Sequence, residues 1–254
     1  MKTTLPAVAF VVALSLTAVA ADSKVPASQH SAGNPSVIVK GFKDSPSPLP
    51  PALCNPCLFY SGDLNPTDPN AAGMSDENTL LIIGGSSTYG AVNIPVAATV
   101  YGIVYNVQAS AAFDPLQASY DVRTGVSEGN GGASIASGTG SIQVSATGRN
   151  FLGLYEYTIA VSLSAPLALG PGEYWFNATP ECLNTLDGSC NVFRQFASNT
   201  TQEANNLHGS WQPVHEMFLN SSFFGFTWAN WCDSSLGFNN AQCAGLSFGL
   251  RGQE

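Results

Sequence analysis

Apolar and polar residues alternate with a period of two in short runs spread between residues 79 and 252. In an extended chain this alternation turns one side to a core and the other to water, so each run predicts a β-strand. The runs are TLLIIG (79–84), TVYGIVYNV (99–107), ASYDVRTG (118–125), SIQVSAT (141–147), YEYTIAVSL (155–163), GEYWFNAT (172–179) and GLSFGLRG (245–252). Between them, SEGNGGAS (127–134) and SGTGS (137–141) have the composition of turns.

The absence of helical patterning narrows the fold class. No stretch of ten or more residues combines the apolar spacing of a helix with a capping signal. Many strands without helical crossovers favour an all-β fold, an antiparallel β-sandwich of the jelly-roll type, over a parallel α/β sheet. Residues 191–240 alternate less regularly and are rich in aromatic residues, so we expect long loops packed over one end or face of the sandwich.

The N-terminal quarter of the chain has a different composition. Residues 1–20 contain an early lysine, the apolar run LPAVAFVVALSLTAVA and a terminal Ala-Val-Ala, which together predict a secretory signal peptide. Residues 21–52 are rich in Pro and Ser and predict a disordered leader or linker, in which PSVIVKGF (35–42) is the stretch suited to an edge strand. Residues 53–254 then form a single β-sandwich domain. We therefore expect a secreted, extracellular protein without a membrane span, which is either released or held at a cell surface only by non-covalent contacts.

The charge of the predicted domain limits its partners. Of the 17 acidic residues of the chain, Asp22 and Asp44 precede the domain, which leaves 15 acids against four arginines and a net charge of −11. Nucleic acids and anionic membranes bind through clusters of Lys and Arg, so the sequence disfavours both as partners.

The cysteines predict a disulfide-bonded domain, because six cysteines behind a signal peptide indicate an oxidising compartment. Nearest-neighbour pairing joins Cys182 to Cys190 and Cys232 to Cys243, each across a turn-rich loop, and leaves Cys54 with Cys57. For this last pair a structural bond is favoured over a long-range pairing, a redox couple or a zinc site. A redox couple needs a helix after the motif, whereas LFYSGDLNP has the composition of strand and loop.

Oxygen donors concentrate in the segment that follows. Calcium takes six to eight oxygen ligands, which spaced Asp and Asn side chains in a loop can supply. Asx-turns in a solvated loop are the favoured interpretation, and a structural calcium ion is the alternative cofactor. The candidate ligands are Asp63, Asn65, Asp68, Asn70 and Asp76.

The aromatic segment contains the candidate ligand-binding residues Trp211, Trp228 and Trp231. Aromatic faces suit stacking against sugar rings, although covering the core is the favoured role for most of these side chains. Asn177, Asn199 and Asn220 lie in Asn-X-Ser/Thr sequons, which accept glycans only in a eukaryotic secretory pathway.

Catalytic signatures are weak. Ser247 lies in a Gly-X-Ser-X-Gly match, but no histidine follows it, so we interpret the match as chance. His208 and His215 lack a third metal ligand and are interpreted as solvated loop residues. The carboxylates available for glycoside hydrolysis are Glu128, Glu156, Glu173 and Glu216, and nothing in their spacing favours that chemistry. We therefore predict no catalytic residues.

A resemblance covers most of the predicted domain. The stretches CNPCLFYSGDLNPTDPNAAGMSDEN (54–78), DVRTGVSEGNGG (121–132), LALGPGEYWFNATPEC (167–182), NSSFFGFTWANWC (220–232) and LSFGLRG (246–252) resemble uncharacterised secreted bacterial proteins of the acidobacterial type. More distantly, GPGEYWF (170–176) and the last strand are similar to β-sandwich domains of exported bacterial proteins that carry C-terminal sorting tails, a tail that this chain lacks. The resemblance implies a fold and a compartment, and no activity.

These patterns favour a secreted, non-catalytic β-sandwich that binds a glycan or another cell-surface or matrix component, or that serves a structural role in an envelope. Its expected partners are a polysaccharide or a surface protein. The alternative is a secreted hydrolase that uses carboxylates to cleave carbohydrate.

Overall fold

The computed structural model describes residues 51–65, 73–79, 83–111, 113–151, 153–181, 196–198, 202–203, 211–222, 225–231 and 245–254. The described residues contain fifteen β-strands and no helix, so the prediction of an all-β fold is confirmed. The strands are β1 (Cys57–Tyr60), β2 (Gly62–Asp63), β3 (Gly73–Ser75), β4 (Glu77–Thr79), β5 (Ile83–Ile94), β6 (Ala98–Ala109), β7 (Gln117–Thr124), β8 (Ala133–Phe151), β9 (Leu154–Leu169), β10 (Gly172–Glu181), β11 (Phe196–Ser198), β12 (Gln202–Glu203), β13 (Gln212–Ser221), β14 (Phe226–Asn230) and β15 (Phe248–Gln253). No helix of this part of the chain is long and apolar enough to cross a membrane.

Two groups of paired strands are joined by β8. The first, called here the β6 ladder, runs β1–β15–β6–β9 and ends on the second half of β8. The second, called the β5 ladder, starts from the first half of β8 and continues β7–β10–β5–β13–β14. All these pairings are antiparallel, whereas the short contact of β4 with β10 is parallel. The prediction of antiparallel pairing is therefore confirmed.

The main core lies where the two ladders face each other. The rings of Phe176 in the β5 ladder and Phe248 in the β6 ladder are 6.1 Å apart, and Tyr105 of β6 donates a hydrogen bond to the Phe176 carbonyl. Val92 and Val161, one from each ladder, are fully buried in the same cluster. Because every second residue of these strands points inward, the alternation seen in the sequence produces this shared core.

The turn predicted at residues 137–141 is wrong, since β8 passes through this segment without a break. The two glycines that suggested a turn serve close packing instead. A Cβ on Gly140 would lie 2.1 Å from the Ser162 carbonyl oxygen, and one on Gly138 would lie 3.1 Å from the Tyr120 hydroxyl. Here β8 leaves β7 and joins β9, and glycine lets the backbones approach.

Residues 191–240 contain more regular structure than expected. β13 pairs with β5 over most of its length and forms an antiparallel pair with β14. Within this segment the described residues 212–221 and 226–230 therefore extend the β5 ladder, where the sequence suggested loop. The reason for the difference is that β13, QPVHEMFLNS, does not alternate cleanly between apolar and polar residues.

Candidate functional site

A second apolar cluster lies on the side of the β5 ladder that faces away from the main core. Tyr89 and Ala91 of β5 alternate with Val92, which points to the main core, so these residues belong to the outer face. Trp175 and Phe218 join them with their rings in an edge-to-face contact at 5.0 Å. This outer face is the region of the described molecule where aromatic rings and polar groups come together near the surface.

Trp228 is the most unusual residue of the outer cluster. Its φ is +50°, in the left-handed region that a bulky side chain rarely adopts. Such a conformation costs on the order of 1–3 kcal/mol and persists only where surrounding contacts hold it. Its indole ring lies 4.7 Å from the Tyr89 ring, and only 8% of the residue is exposed. The strained backbone thus turns the indole back onto the outer face of β5.

Arg123 fixes this aromatic pair from the side. Its guanidinium carbon lies 4.8 Å from the Trp228 ring centre, within the range of a cation–π contact, and 6.0 Å from the Tyr89 ring centre. Arg123 also pairs with Asp121, which accepts hydrogen bonds from the Tyr89 hydroxyl (2.9 Å) and from Ser134 (2.5 Å). Burial raises the pKa of Tyr89, and the charge of Asp121 adds to the effect, so the phenol stays protonated and continues to donate.

The loop between β7 and β8, residues 125–132, closes over Trp228. The amide of Gly129 donates to the Trp228 carbonyl at 3.0 Å, and Glu128 accepts the amide of Asn230 at 2.7 Å. The backbone of Gly131 packs directly against the indole of Trp228. Only glycine fits there, because a Cβ would lie 2.3 Å from a ring atom. Arg123 donates to the Gly131 carbonyl at 2.9 Å. The turn predicted at 127–134 therefore ties β7 to β14, two strands that are not neighbours in the ladder.

A depression of about 340 Å³ continues the outer face beyond Tyr89. Ser87 precedes Tyr89 by two residues on β5 and therefore points to the same side, opposite Asn220 of β13. The side chains of Ser87, Asn220 and Thr227 line the depression and form no hydrogen bond with other protein groups among the described residues. Phe226 also lines the depression, and its ring packs against the main core. The depression thus offers unused hydroxyl and amide groups to a ligand.

The three tryptophans predicted to bind a ligand are separated by the fold. Trp211 and Trp231 lie in the main core with exposures of 0% and 1%, so their faces are covered by protein. Trp228 lies in the outer cluster instead. The described structure therefore does not assemble them into one stacking platform, and the outer face keeps only Trp228 as a candidate.

The predicted oxygen ligands are likewise divided. Asp63 accepts a hydrogen bond from Tyr60 and pairs with Arg149 at 2.9 Å, on the β6 ladder. Asp76 accepts hydrogen bonds from Asn177 (3.1 Å) and Thr179 (2.8 Å), both on β10 of the other ladder. Asn65 is half-buried and engaged by another group, while Asp68 and Asn70 lie outside the described residues. Among the side chains that are described, no group of three or more His, Cys, Asp or Glu is placed to hold a metal ion.

Asp76 has an unusual environment. One carboxylate oxygen accepts three hydrogen bonds, including the Thr88 amide at 3.1 Å, and the other has no hydrogen-bond partner within the described part of the chain. Burial raises the pKa of Asp76 to about 7, because the three hydrogen bonds offset only part of the lost hydration. Asp76 is therefore a carboxylate whose charge changes near neutral pH.

A buried network on the β6 ladder engages the other carboxylates. Arg149 bonds both Asp63 and Glu156, and Glu156 also accepts hydrogen bonds from Thr147 (2.9 Å) and Ser198 (3.1 Å). Burial raises the pKa of Glu156, and the charge of Arg149 opposes this shift. For Arg149, burial disfavours the charge, but the two carboxylates outweigh it and raise its pKa. One guanidinium is thus shared by two buried carboxylates.

The residues considered for catalysis lie in different places. Ser247 donates to the Gly62 carbonyl at 2.6 Å and accepts a hydrogen bond from Asn106 at 2.8 Å, so it belongs to the buried network beside Asp63. Glu156 is in that network, Glu128 binds the Asn230 amide, and Glu173 accepts the indole N–H of Trp175 at 3.0 Å. These three glutamates have separate structural partners. The Glu216 side chain forms no hydrogen bond or ion pair among the described residues, and the side chain of His215 and all of His208 lie outside them.

The described residues include two of the six cysteines and two of the three sequon asparagines. Cys54 and Cys57 form the disulfide bond that the sequence predicted. Cys182, Cys190, Cys232, Cys243 and Asn199 lie outside the described residues. Asn177 is buried, and its amide nitrogen donates to Asp76 and to the Thr88 carbonyl at 2.8 Å. The folded protein therefore does not present Asn177 as a glycan acceptor, whereas Asn220 lines the outer depression.

Sequence reasoning missed most of the outer face. The sequence did not indicate Tyr89, Ser87 or Arg123, because each lies in a strand without a recognisable motif. Their proximity to Trp228 depends on the order of the strands, which the sequence does not show. The available signal was the pair of stretches DVRTGVSEGNGG and NSSFFGFTWANWC, which carried the family resemblance and which the structure brings into contact.

Comparison with known proteins does not add a function. No protein-family model matches the chain, and no curated protein matches it significantly. The function of this β-protein is therefore inferred from the chemistry of its outer face.

Proposed function

We propose that this protein is a secreted, non-catalytic β-sandwich that binds a neutral glycan of a cell surface or matrix in the outer depression of the β5 ladder. The observation that carries the proposal is the set of three side chains, Ser87, Asn220 and Thr227, which line the depression without hydrogen-bond partners among the residues that the structure describes. Hydroxyl and amide groups both donate and accept, which matches the hydroxyl groups of a sugar.

The size and surroundings of the depression support this class of ligand. Its volume of about 340 Å³ lies at the lower end of the range of about 300–1,000 Å³ found for small-ligand sites. Phe226 packs on the main core and leaves part of its surface in the lining of the depression, where the C–H groups of a sugar can contact it. The next residues on the same face, Tyr89 and Trp228, are held by Arg123 and by the 125–132 loop. The wall beside the site is therefore rigid before ligand binds, which lowers the entropic cost of binding.

The charge of the domain favours a neutral ligand. The domain carries a net charge of −11, and Asp121 and Glu128 lie near the same face. An anionic polysaccharide would be repelled by this surface, whereas a neutral one is not. A structural role in a cell envelope is compatible with the same site, because a polysaccharide is a component of such a layer.

The test uses the mature chain and insoluble neutral polysaccharides, namely cellulose, xylan and a β-glucan, in pull-down assays followed by titration calorimetry. The binding variant is Asn220→Ala combined with Thr227→Ala, and the matched control is Ser137→Ala combined with Ser145→Ala, two exposed positions on β8. Loss of two net hydrogen bonds, each worth about 1 kcal/mol, predicts that the binding variant has a Kd about 30-fold weaker, while the control matches the wild type. Retention on none of these polysaccharides, or equal binding by the two double variants, would overturn the proposal.

A further inference from the structure

The 125–132 loop contains Asn130 followed by Gly131, which is the one Asn-Gly pair in the 254-residue chain. The backbone nitrogen after an asparagine can attack its side-chain carbonyl most readily when it belongs to glycine, because no Cβ shields the approach. The fold requires glycine at position 131, since a Cβ there would lie 2.3 Å from the indole of Trp228. Packing on Trp228 therefore places a reactive pair in the loop.

The hydrogen bonds of the loop leave the reacting nitrogens free. Asn130 is exposed, and its backbone amide and carbonyl both pair with Ser127, at 2.8 and 2.9 Å. By contrast, the amide nitrogen of Gly131 and the side-chain nitrogen of Asn130 form no hydrogen bond with the residues that the structure describes. The nucleophile and the leaving group of such an attack are thus both available.

The side-chain oxygen of Asn130 is held in place. It accepts a hydrogen bond from the Gly132 amide at 3.0 Å, which forms an Asx-turn around Gly131. The backbone of Gly132 in turn packs closely on β7, since a Cβ on it would lie 2.0 Å from the Thr124 carbonyl oxygen. A donor fixed on this oxygen stabilises the negative charge that the oxygen gains when the carbonyl carbon is attacked.

We propose that Asn130 is a self-modification site, where asparagine is converted to aspartate and isoaspartate with water as the co-reactant. The nitrogen of Gly131 loses its proton to solvent and bonds to Cγ of Asn130. The bond from Cγ to Nδ2 then breaks, and the nitrogen takes up a proton and leaves as ammonia. Water opens the resulting succinimide ring. Addition at the former side-chain carbonyl gives aspartate, and addition at the main-chain carbonyl gives isoaspartate.

Isoaspartate changes the loop because its backbone runs through Cβ and Cγ and is one methylene group longer. Gly131 packs on Trp228 and accepts a hydrogen bond from Arg123 at 2.9 Å, so the added length displaces both contacts. The positive φ of Trp228 persists only while such contacts hold it. The modification therefore loosens the indole from the outer face of β5. This inference rests on the loop alone and is independent of glycan binding.

The first experiment incubates the mature, folded chain at neutral and at mildly alkaline pH. Peptide mapping by mass spectrometry follows each asparagine, and an isoaspartyl methyltransferase labels isoaspartate. We expect Asn130 to convert before any other asparagine, and faster at alkaline pH because the attacking nitrogen must lose its proton. Asn93 is the internal control, since it is also exposed but precedes Ile94, whose Cβ shields the nitrogen. Conversion of Asn130 only in a urea-unfolded sample, or conversion of Asn93 at the same rate, would overturn the proposal.

The second experiment measures hydrogen exchange at the Gly129 amide, which donates to the Trp228 carbonyl, before and after the incubation. The matched variant is Asn130→Ser, because serine keeps a side-chain acceptor for the turn but has no amide to lose. We expect exchange to accelerate after incubation in the wild type and to stay constant in the variant. Freshly prepared Asn130→Asp adds the charge without the methylene group and should match the fresh wild type. Unchanged exchange in a wild type that contains isoaspartate at residue 130 would overturn the loosening of Trp228.

Discussion

Two arginines, Arg149 on the β6 ladder and Arg123 on the β5 ladder, show how burial changes the role of the same ion pair. Arg149 has 7% of its side chain exposed and bonds two carboxylates, Asp63 and Glu156, inside a network of hydrogen bonds. Arg123 has 23% exposed and bonds one carboxylate, Asp121, while its guanidinium lies over Trp228. The buried set maintains the fold, since removing its single cation would leave two buried carboxylates without a partner. The pair near the surface contributes less to stability, because water can solvate Arg123 or Asp121 if its partner is removed. Its role is instead to position the aromatic ring of Trp228.

The largest expected effect comes from removing the buried cation. Arg149→Met leaves Asp63 and Glu156 without their shared partner, and we expect the free energy of unfolding to fall by about 3–5 kcal/mol. Urea denaturation followed by tryptophan fluorescence measures this change. Arg123→Met is the matched control, and the comparison between the two sites would fail if both substitutions lowered the unfolding midpoint equally.

A second test on the same network concerns the charge that remains. Combining Arg149→Met with Glu156→Gln removes one of the two unpaired carboxylates, so part of the stability lost in the single variant should return. A double variant less stable than Arg149→Met alone would show that the hydrogen bonds of Glu156 to Thr147 and Ser198 matter more than its charge.

The next effect concerns Asp76, a buried carboxylate with no arginine partner among the described residues. Its pKa is about 7 when folded, against an ordinary value of 3.8, so the folded state binds this proton more tightly than the unfolded state. The protonated Asp76 therefore stabilises the folded state fully below about pH 4, and this contribution is lost as the pH rises through 7. The free energy of unfolding falls by at most about 4 kcal/mol over this range. We therefore expect the wild type to lose thermal stability between pH 5 and pH 8.

Asp76→Asn tests the source of this pH dependence. Asparagine keeps the shape and cannot ionise, so the variant should show a shallower decline of Tm over the same pH range. Glu156 also has a raised pKa, and its contribution remains in the variant as an internal reference. Identical Tm profiles for the two proteins would assign the pH dependence to other groups.

The smallest expected effect is that of Arg123→Met itself. A cation–π contact near the surface contributes about 0.5–1 kcal/mol and an exposed ion pair less than about 1 kcal/mol, so we expect a loss of about 1 kcal/mol in unfolding free energy. We expect a larger change in the local stability of the 125–132 loop than in the free energy of global unfolding. Hydrogen exchange should accelerate at the amides of Gly129 and Asn230, which bind Trp228 and Glu128 respectively. Unchanged exchange at both amides would show that Arg123 does not hold the 125–132 loop on Trp228.

The strands that the sequence predicted well are those with one face in the main core. β6, β7, β9 and β10 alternate because each is half-buried, and their predicted runs fall within a few residues of the observed bounds. β5 was largely missed, since GSSTYGAV has small or polar residues on both sides and little contrast between them. β8 was missed in its first half for a similar reason, because an edge strand with both faces near solvent has no apolar side to reveal it.

The candidate sites were less predictable than the strands. The disulfide between Cys54 and Cys57 was predictable because its partners are three residues apart. The metal hypothesis grouped Asp63 with Asp76 from their proximity in sequence, whereas each carboxylate binds partners on a different ladder. The tryptophans were also grouped from their proximity in sequence. Trp211 and Trp231 lie in the main core, whereas Trp228, with its positive φ, lies on the outer face.

The sequence by itself determined the all-β class, the strand periodicity, the acidic surface and the local disulfide, because each depends on residue composition or on neighbours within a few positions. Only the tertiary structure decided which polar residues are buried in hydrogen-bonded networks and which line the outer depression. It also decided that β8 pairs with β7 in its first half and with β9 in its second, since strand order is set by contacts between residues far apart in the chain. Burial and pairing are properties of those distant contacts, and they determine where the unused hydrogen-bonding groups of this protein meet solvent.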